Sequence, residues 1–223
     1  MAYILNIETS TTNCSVSLSN KGETLVLKED YGNGYSHAEK LHVYIEEVLN
    51  EANITASHLD AIAVSKGPGS YTGLRIGVSA AKGLAYALEK PLISVSTLEA
   101  LAYQIKAESG VIIPMLDARR LEVYSAIFDA SYNLVRAIEA QILDESAFKK
   151  ELVSGKVYFV GDGVEKTEKL INHQNAVFIE NKLPSADQMS LLSFEKYKKS
   201  DIEDVAYFEP YYLKDFVAIK SKK

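Results

Sequence analysis

The residues of this chain that come closest to a phosphate-binding motif are the twelve at 66–77, KGPGSYTGLRIG. Their glycine density is typical of loops that wrap around phosphate groups. A catalytic P-loop also needs a Lys-Ser or Lys-Thr pair after its last glycine, so that an ammonium reaches the phosphates and a hydroxyl meets Mg²⁺. Leu74 and Arg75 follow Gly73 in this chain. The segment therefore lacks the groups for nucleotide hydrolysis by this route.

A helix over residues 72–88 is predicted directly after the loop, and small residues are frequent along it. A glycine inside a helix costs about 1 kcal/mol relative to alanine, so a helix keeps one mainly where another backbone must come close. Two interpretations stay open at this point. The helix is either a docking surface for another protein or an element buried within its own domain.

A second set of polar residues follows two predicted strands that resemble each other. Glu8 closes the first strand and precedes a polar turn, and Asp117 closes a later strand and precedes another turn. The two acids are 109 residues apart, and this offset also places Leu18 on Ile127 in the strands that follow. The pattern predicts a duplication, with two similar lobes and a cleft between them that both acids face.

Residues at this predicted cleft are candidates for nucleotide contact. The side chain of Glu8 is one methylene longer than that of an aspartate, and Mg²⁺ demands tight octahedral distances. No cofactor is therefore expected to be required, and weak binding of ATP or ADP stays open. The alternative function is an ATP-dependent phosphotransferase or ATPase that uses the two acids across the cleft. The candidate residues are Glu8, Thr9, Ser10, Thr11, Asp117, Arg119, Gly161 and Gly163.

Strands followed by helices in both halves predict an α/β fold. The paired strand–acid–turn units favour the actin-like ATPase fold of sugar kinases, Hsp70 chaperones and actin, with two duplicated lobes of mixed sheets flanked by helices. The lobes are predicted at residues 1–108 and 109–223. A further helix is predicted over 36–50, begun by a capping box in which Ser36 and Glu39 exchange hydrogen bonds.

The predicted helices 36–50 and 72–88 together offer a surface for another protein. The first has an apolar stripe at helical spacing, and the second has glycines four residues apart followed by alanines. Side by side they would form half of a four-helix interface. The residues assigned to it are Leu41, Tyr44, Ile45, Val48, Gly73, Ile76, Gly77, Ala80, Ala81 and Leu84.

Several other chemistries find no support in the sequence. The four histidines are not at the spacing of a helical zinc motif, so no metal site is expected and a metallopeptidase is nearly excluded. His37 is expected on the surface, at the start of its helix. Cys14 is the single cysteine and lies in a predicted core strand, and no serine sits in a GxSxG elbow.

Composition describes an acidic globular protein. The 223 residues carry a formal net charge of −6, whereas a protein that grips nucleic acid alone usually presents a strongly basic surface. A polynucleotide would therefore be held mainly by a partner. No apolar run approaches a membrane span, the N-terminus lacks the basic region of a signal peptide, and a single cysteine fits a reducing compartment. We expect a cytoplasmic protein without membrane contact.

Several segments together resemble the TsaB family, also called YeaZ. They are ILNIETSTTNCSVSL at the start, KGPGSYTGLRIGVSAAKGLA in the middle, LDARRLEVY from Leu116, and GDG and EPYYL near the end. The likeness covers nearly the whole chain. It implies an actin-like, two-lobed subunit of the bacterial machinery that makes threonylcarbamoyladenosine in tRNA. Members are related to the catalytic subunit TsaD, and this chain lacks the histidines with which TsaD binds metal.

The same resemblance implies the partners. A member of this family pairs with TsaD through helices of its first lobe, and the ATPase TsaE joins the pair. The complex transfers threonylcarbamoyl to N6 of adenosine 37 in tRNAs that read ANN codons, while the subunit itself performs no bond chemistry. The helix surface defined above is therefore expected to contact TsaD, and to form a homodimer when TsaD is absent. The tRNA is expected to be contacted mainly through the complex.

Overall fold

The computed structural model of the chain describes residues 1–31 and 36–214. Within these ranges the strands are β1 Tyr3–Glu8, β2 Cys14–Asn20, β3 Glu23–Asp30, β4 Ala61–Ser65, β5 Leu92–Val95, β6 Val111–Asp117, β7 Glu122–Asp129, β8 Leu134–Ile142, β9 Val157–Val160 and β10 Ala176–Ile179. The helices are α1 His37–Glu51, α2 Tyr71–Leu88, α3 Thr97–Ala102, α4 Lys149–Ser154, α5 Val164–Glu168 and α6 Ala186–Lys198, with a 3-10 turn at Ala56–His58.

Two five-stranded sheets share one topology. Their strand orders are β3-β2-β1-β4-β5 and β8-β7-β6-β9-β10, each mixing antiparallel and parallel pairs. The pairing of the second and third strands shifts register at equivalent positions, between Leu18 and Ser19 and between Ile127 and Phe128. These positions are 109 residues apart, the offset of Glu8 and Asp117. The duplication predicted from the sequence is therefore confirmed, while the lobe boundary at residues 108 and 109 stays a prediction.

The helices predicted over 36–50 and 72–88 are confirmed to within one residue at each end. The predicted capping box is wrong. The Ser36 hydroxyl donates to Asp30 Oδ2 at 3.2 Å, and the Ser36 side chain makes no capping hydrogen bond with α1. An acceptor on β3 thus replaces the predicted partner on the helix. No helix among the described residues is long and apolar enough to cross a bilayer.

Helices α3 and α6 each pack on the sheet formed by the other half of the chain. α1 and α2 cover one face of the first sheet, and its other face is covered by α6, which places Met189 and Leu192 against Ile4 and Ile93. α3 follows the first sheet in sequence, yet its Leu98 and its neighbours pack on the second sheet. Each half of the chain therefore supplies a helix to the sheet of the other half.

Hydrogen bonds between side chains fix α6 on the first sheet in addition to the apolar contacts. The Ser193 hydroxyl donates to Asn6 Oδ1 at 2.6 Å, and Asn6 Nδ2 donates to Ser17 Oγ at 3.1 Å. Ser17 Oγ in turn donates to the carbonyl of Ala186 at 2.8 Å. These groups are buried, and a buried polar group left without its partner costs about 1–3 kcal/mol. The network therefore selects one position of α6.

We expect Met189→Ala to lower the free energy of unfolding by about 2–5 kcal/mol, because the side chain is 0% exposed in the contact between α6 and the first sheet. Leu191→Ala is the matched control, since Leu191 is 45% exposed on the same helix and should cost about 0.5 kcal/mol. Urea unfolding followed by circular dichroism measures both. Equal losses for the two variants would contradict this placement of α6.

Candidate functional site

The glycine-rich loop packs against the turn between β1 and β2. The amide of Ser70 donates to the carbonyl of Ser10 at 2.6 Å, and the Thr9 hydroxyl donates to the carbonyl of Gly73 at 2.8 Å. A Cβ on Gly73 would lie 2.1 Å from the carbonyl oxygen of Thr9, and one on Gly69 would lie 2.5 Å from that of Ser10. The glycines of this loop are therefore needed for a close approach within the chain.

The helix surface assigned to another protein needs a correction. A Cβ on Gly77 would lie 2.2 Å from Thr9 Oγ1, so this glycine too faces its own chain. Assigning the following six residues to the interface is wrong, because their side chains or Cα atoms are buried in the protein's own core: Leu41, Ile45, Val48, Gly73, Gly77 and Ala81. The other four are half-buried and stay predictions: Tyr44, Ile76, Ala80 and Leu84.

A groove of about 750 Å³ runs between α1 and α2 on the outer side of these helices. It adjoins three of the four half-buried residues, and its wall on α2 also includes small side chains that keep it open. The lining residues are His37, Ala38, His42, Tyr71, Thr72, Arg75, Ile76, Ser79, Ala80, Gly83 and Leu84. The groove is a mainly apolar surface onto which a helix of another protein can pack.

His37 stands where α1 begins, and the prediction that it lies on the surface is wrong. Its side chain is 1% exposed, and Nε2 lies 2.7 Å from the carbonyl oxygen of Thr11. Burial lowers the pKa of the imidazole, against the opposing effect of the contact with Thr11. His37 therefore ties the start of α1 to the turn between β1 and β2.

The C-terminal segment contacts Arg75 and Tyr71, two residues that line the groove, and the sequence analysis did not predict this contact. The guanidinium carbon of Arg75 lies 4.0 Å from the ring centre of Tyr71, and Arg75 Nε donates to the hydroxyl of Tyr212 at 3.1 Å. The amide of Tyr211 donates to the carbonyl of Lys66 at 2.7 Å. The EPYYL motif was the available signal, because its second tyrosine makes this contact.

The first acid of the predicted cleft is sealed inside the protein. The Glu8 side chain is 0% exposed, and its Oε1 accepts hydrogen bonds from the Ser10 amide at 2.6 Å and from the Ser65 hydroxyl at 2.9 Å. Burial raises the pKa of the Glu8 carboxyl, and the hydrogen bonds from Ser10 and Ser65 oppose that shift. Thr9, Ser10 and Thr11 are also buried.

The second acid is exposed and already paired. Asp117 Oδ1 lies 2.8 Å from Lys166 Nζ and accepts the amide of Arg119 at 2.5 Å. Asp162 Oδ1 accepts the amide of Asp117 at 2.8 Å, and burial raises the pKa of the Asp162 carboxyl. No hydrogen bond or ion pair in the described part of the chain joins this group to Glu8.

The two glycines assigned to the cleft contact strands of the second sheet. A Cβ on Gly161 would lie 2.1 Å from the carbonyl oxygen of Met115, and one on Gly163 would lie 2.8 Å from Val123 Cγ1. Among the described residues no group of three His, Cys, Asp or Glu side chains is placed to hold a metal ion. Nucleotide binding by the cleft stays a prediction.

Comparisons with known proteins agree along almost the entire chain. The family model TsaD, tRNA N6-adenosine threonylcarbamoyltransferase, matches residues 33–221. The tRNA threonylcarbamoyladenosine biosynthesis protein TsaB of Escherichia coli (strain K12) is 30% identical over 225 residues, which cover 97% of this chain and 96% of that protein.

Solved structures agree with these relatives. YeaZ from Pseudomonas aeruginosa superposes with a TM-score of 0.82 at 28% identity, covering 96% of this chain and 100% of that chain. The ethanolamine utilization protein EutJ from Carboxydothermus hydrogenoformans has a TM-score of 0.50 at 10% identity and covers 86% and 90%, a likeness that shows the fold alone. Together with the two mixed sheets, these neighbours confirm the actin-like ATPase fold.

We expect Gly73→Ala to lower the free energy of unfolding by about 1–3 kcal/mol, because its Cβ would overlap the Thr9 carbonyl. Gly83→Ala on the same helix is the matched control. Its Cβ would meet nothing within 4 Å, so this change should raise stability by up to about 1 kcal/mol. Chemical unfolding measures both, and changes of the same sign would contradict the close approach of α2 to the turn.

We expect Glu8→Gln to remove a pH dependence of stability. A carboxyl whose pKa is raised by folding stabilises the native state at low pH, and this contribution is lost as the pH rises above its ordinary value of 4.5. The amide keeps the acceptor that Ser10 and Ser65 use and never ionises. Urea unfolding between about pH 5 and about pH 8 should therefore show wild type losing stability relative to the variant.

Glu165→Gln serves as the control for that experiment, because Glu165 is exposed and paired with Lys169. It should not gain stability relative to wild type as the pH rises. A difference between Glu8→Gln and wild type that stays constant at every pH would show that the buried carboxyl does not titrate as proposed.

Proposed function

The chain belongs to the TsaB (YeaZ) family, and from that premise we propose that it is a subunit of the complex that installs threonylcarbamoyl on N6 of adenosine 37 in tRNAs that read ANN codons. Its role is to hold and activate a TsaD-like catalytic subunit, with a TsaE-like ATPase joining the pair. The observation that carries this proposal is the α1–α2 groove on a chain that matches TsaB almost from end to end.

The state of the two acids supports a role without bond chemistry. An ATPase of this fold would need an accessible carboxylate at the end of β1 to manage Mg²⁺ and water. Glu8 is fully buried and bonded to its own turn, and Asp117 is paired with Lys166. The alternative of a phosphotransferase or ATPase across the cleft is therefore less well supported, and we assign no cofactor to the chain.

The groove fits a partner of the same fold. Ile76, Ala80 and Leu84 supply apolar surface, while Ser79 and Gly83 let a second helix approach closely. A TsaD-like paralogue carries helices in equivalent places, so the two pairs can meet around a pseudo-two-fold axis as a four-helix contact. A second copy of this chain presents the same face, so we expect a homodimer when the catalytic subunit is absent.

We expect Ser79→Arg to weaken binding to the TsaD-like subunit by about tenfold or more, because an interface residue at the centre of a contact can contribute 1.4 kcal/mol or more. Ser79 is exposed in the groove and supports nothing in the core, so the monomer should remain folded. Isothermal titration calorimetry of the purified subunits measures the affinity, and sedimentation of the chain alone reports any homodimer.

Ser154→Arg is the control, because Ser154 is exposed on α4, which packs on the second sheet. It should bind the catalytic subunit as wild type does. Unchanged affinity for Ser79→Arg would exclude the groove as the docking site, and nucleotide turnover by the isolated chain would favour the enzymatic alternative.

A further inference from the structure

The turn between β6 and β7 carries two arginines on an unfavourable backbone. Arg119 and Arg120 have φ angles of 70° and 52°, both in the left-handed region. Consecutive residues with positive φ in a hairpin connection are usually glycine, asparagine or aspartate, since other side chains are strained there. An Asn-Gly pair would form this turn at lower cost. Strain of this kind is concentrated at functional sites, which points to a role for the side chains.

Three hydrogen bonds stabilise this conformation of the turn. Lys166 Nζ donates to Asp117 Oδ1 at 2.8 Å and to the carbonyl of Arg120 at 3.0 Å. The same carboxylate accepts the amide of Arg119 at 2.5 Å. Both guanidinium groups are exposed at the end of a braced hairpin. Little conformational entropy of the backbone is then left to lose when a ligand binds.

The charged side chains next to the turn pair with each other, and in the described part of the chain neither arginine of the turn has a carboxylate partner. Lys166 is paired with Asp117, and Lys214 is paired with Glu122. Within residues 1–31 and 36–214, neither arginine of the turn takes part in an ion pair with a carboxylate. The turn therefore carries two adjacent guanidinium groups without a carboxylate partner among the described residues, although the chain as a whole has a net charge of −6.

We propose that the Arg119–Arg120 turn binds the phosphodiester backbone of the RNA substrate. The inference rests on the proposed function and adds a direct contact of this subunit with the nucleic acid. A guanidinium donates two parallel hydrogen bonds to one phosphate, and successive phosphates of a strand offer an anion to each arginine. Such contacts position an RNA without reading its sequence, which suits an acidic subunit that is held beside a catalytic partner.

The test replaces the turn by residues that suit its backbone, Arg119→Asn with Arg120→Gly. The control is Lys149→Ala with Lys150→Ala, two adjacent exposed lysines on α4, which changes the net charge equally. Fluorescence anisotropy measures binding of a labelled tRNA transcript to the chain, alone and together with the TsaD-like subunit, over a series of salt concentrations. Size-exclusion chromatography of the same mixtures reports whether the subunits pair.

For the turn variant we expect an affinity for tRNA lower by about tenfold or more, and a slope of log K against log salt smaller by roughly 1 to 2, since each phosphate contact contributes about 0.7 to 0.9 in nucleic acids. Its unfolding midpoint should equal or exceed that of wild type, because the strain is relieved. Arg119→Lys with Arg120→Lys should keep the slope but bind more weakly, because the planar fork is lost.

The outcomes separate the inference from the function on which it rests. Subunits that pair normally while the turn variant keeps wild-type affinity and slope would overturn the RNA contact and leave the proposed function intact. Loss of pairing only in the turn variant would identify an acidic protein surface as the ligand and also overturn it. If the wild-type chain itself fails to pair with the TsaD-like subunit, the proposed function is wrong. The phosphate contact is then tested by whether the turn variant lowers the slope of log K against log salt for tRNA binding by the chain alone.

Discussion

The backbone of α2 lies against the turn between β1 and β2, and most features of the first lobe depend on that approach. It is possible only because Gly73 and Gly77 lack side chains where Thr9 stands. The Thr9 hydroxyl bonds to the Gly73 carbonyl, and the buried turn carries Glu8 out of reach of solvent. A turn that clasps phosphate in ATPases of this fold is thereby used for packing. The opposite side of α2 is left outward, where it lines the groove.

The crossing helices make the two lobes parts of one structure. α6 covers the first sheet through apolar contacts and through the hydroxyl network around Asn6, while α3 covers the second sheet. An apolar contact alone tolerates small sliding movements, whereas the hydrogen bonds of Asn6 with Ser17 and Ser193 weaken when the distance or angle between donor and acceptor changes. The groove on α1 and α2 and the arginine turn on the second sheet are therefore held by one connected framework.

Sequence reasoning succeeded where a pattern repeats and failed where a residue type has two physical uses. The 109-residue offset predicted the duplicated sheets, since strands and acids recur in both halves. The spacing of Gly73 and Gly77 suits a close approach either to another protein or to the chain itself. Only the structure shows that both glycines lie against Thr9. Ser36 is a good helix cap by type, but its hydroxyl donates instead to Asp30 at the end of β3, six residues earlier, and the capping pattern does not consider residues that precede the cap. The edge formed by Arg75 and Tyr212 joins segments too distant for any local rule.

The contact between Arg75 and Tyr212 bears on the order in which the chain can fold during translation. Lys82 on α2 donates hydrogen bonds to the carbonyls of Ala206 and Phe208, and Arg75 donates one to the hydroxyl of Tyr212. Translation proceeds from the N-terminus, so a nascent chain that has already made α1 and α2 still lacks both α6 and residues 206–212. The first sheet keeps an uncovered face until α6 has left the ribosome. The contacts of Arg75 and Lys82 with residues 206–212 thus form only after these residues have been translated.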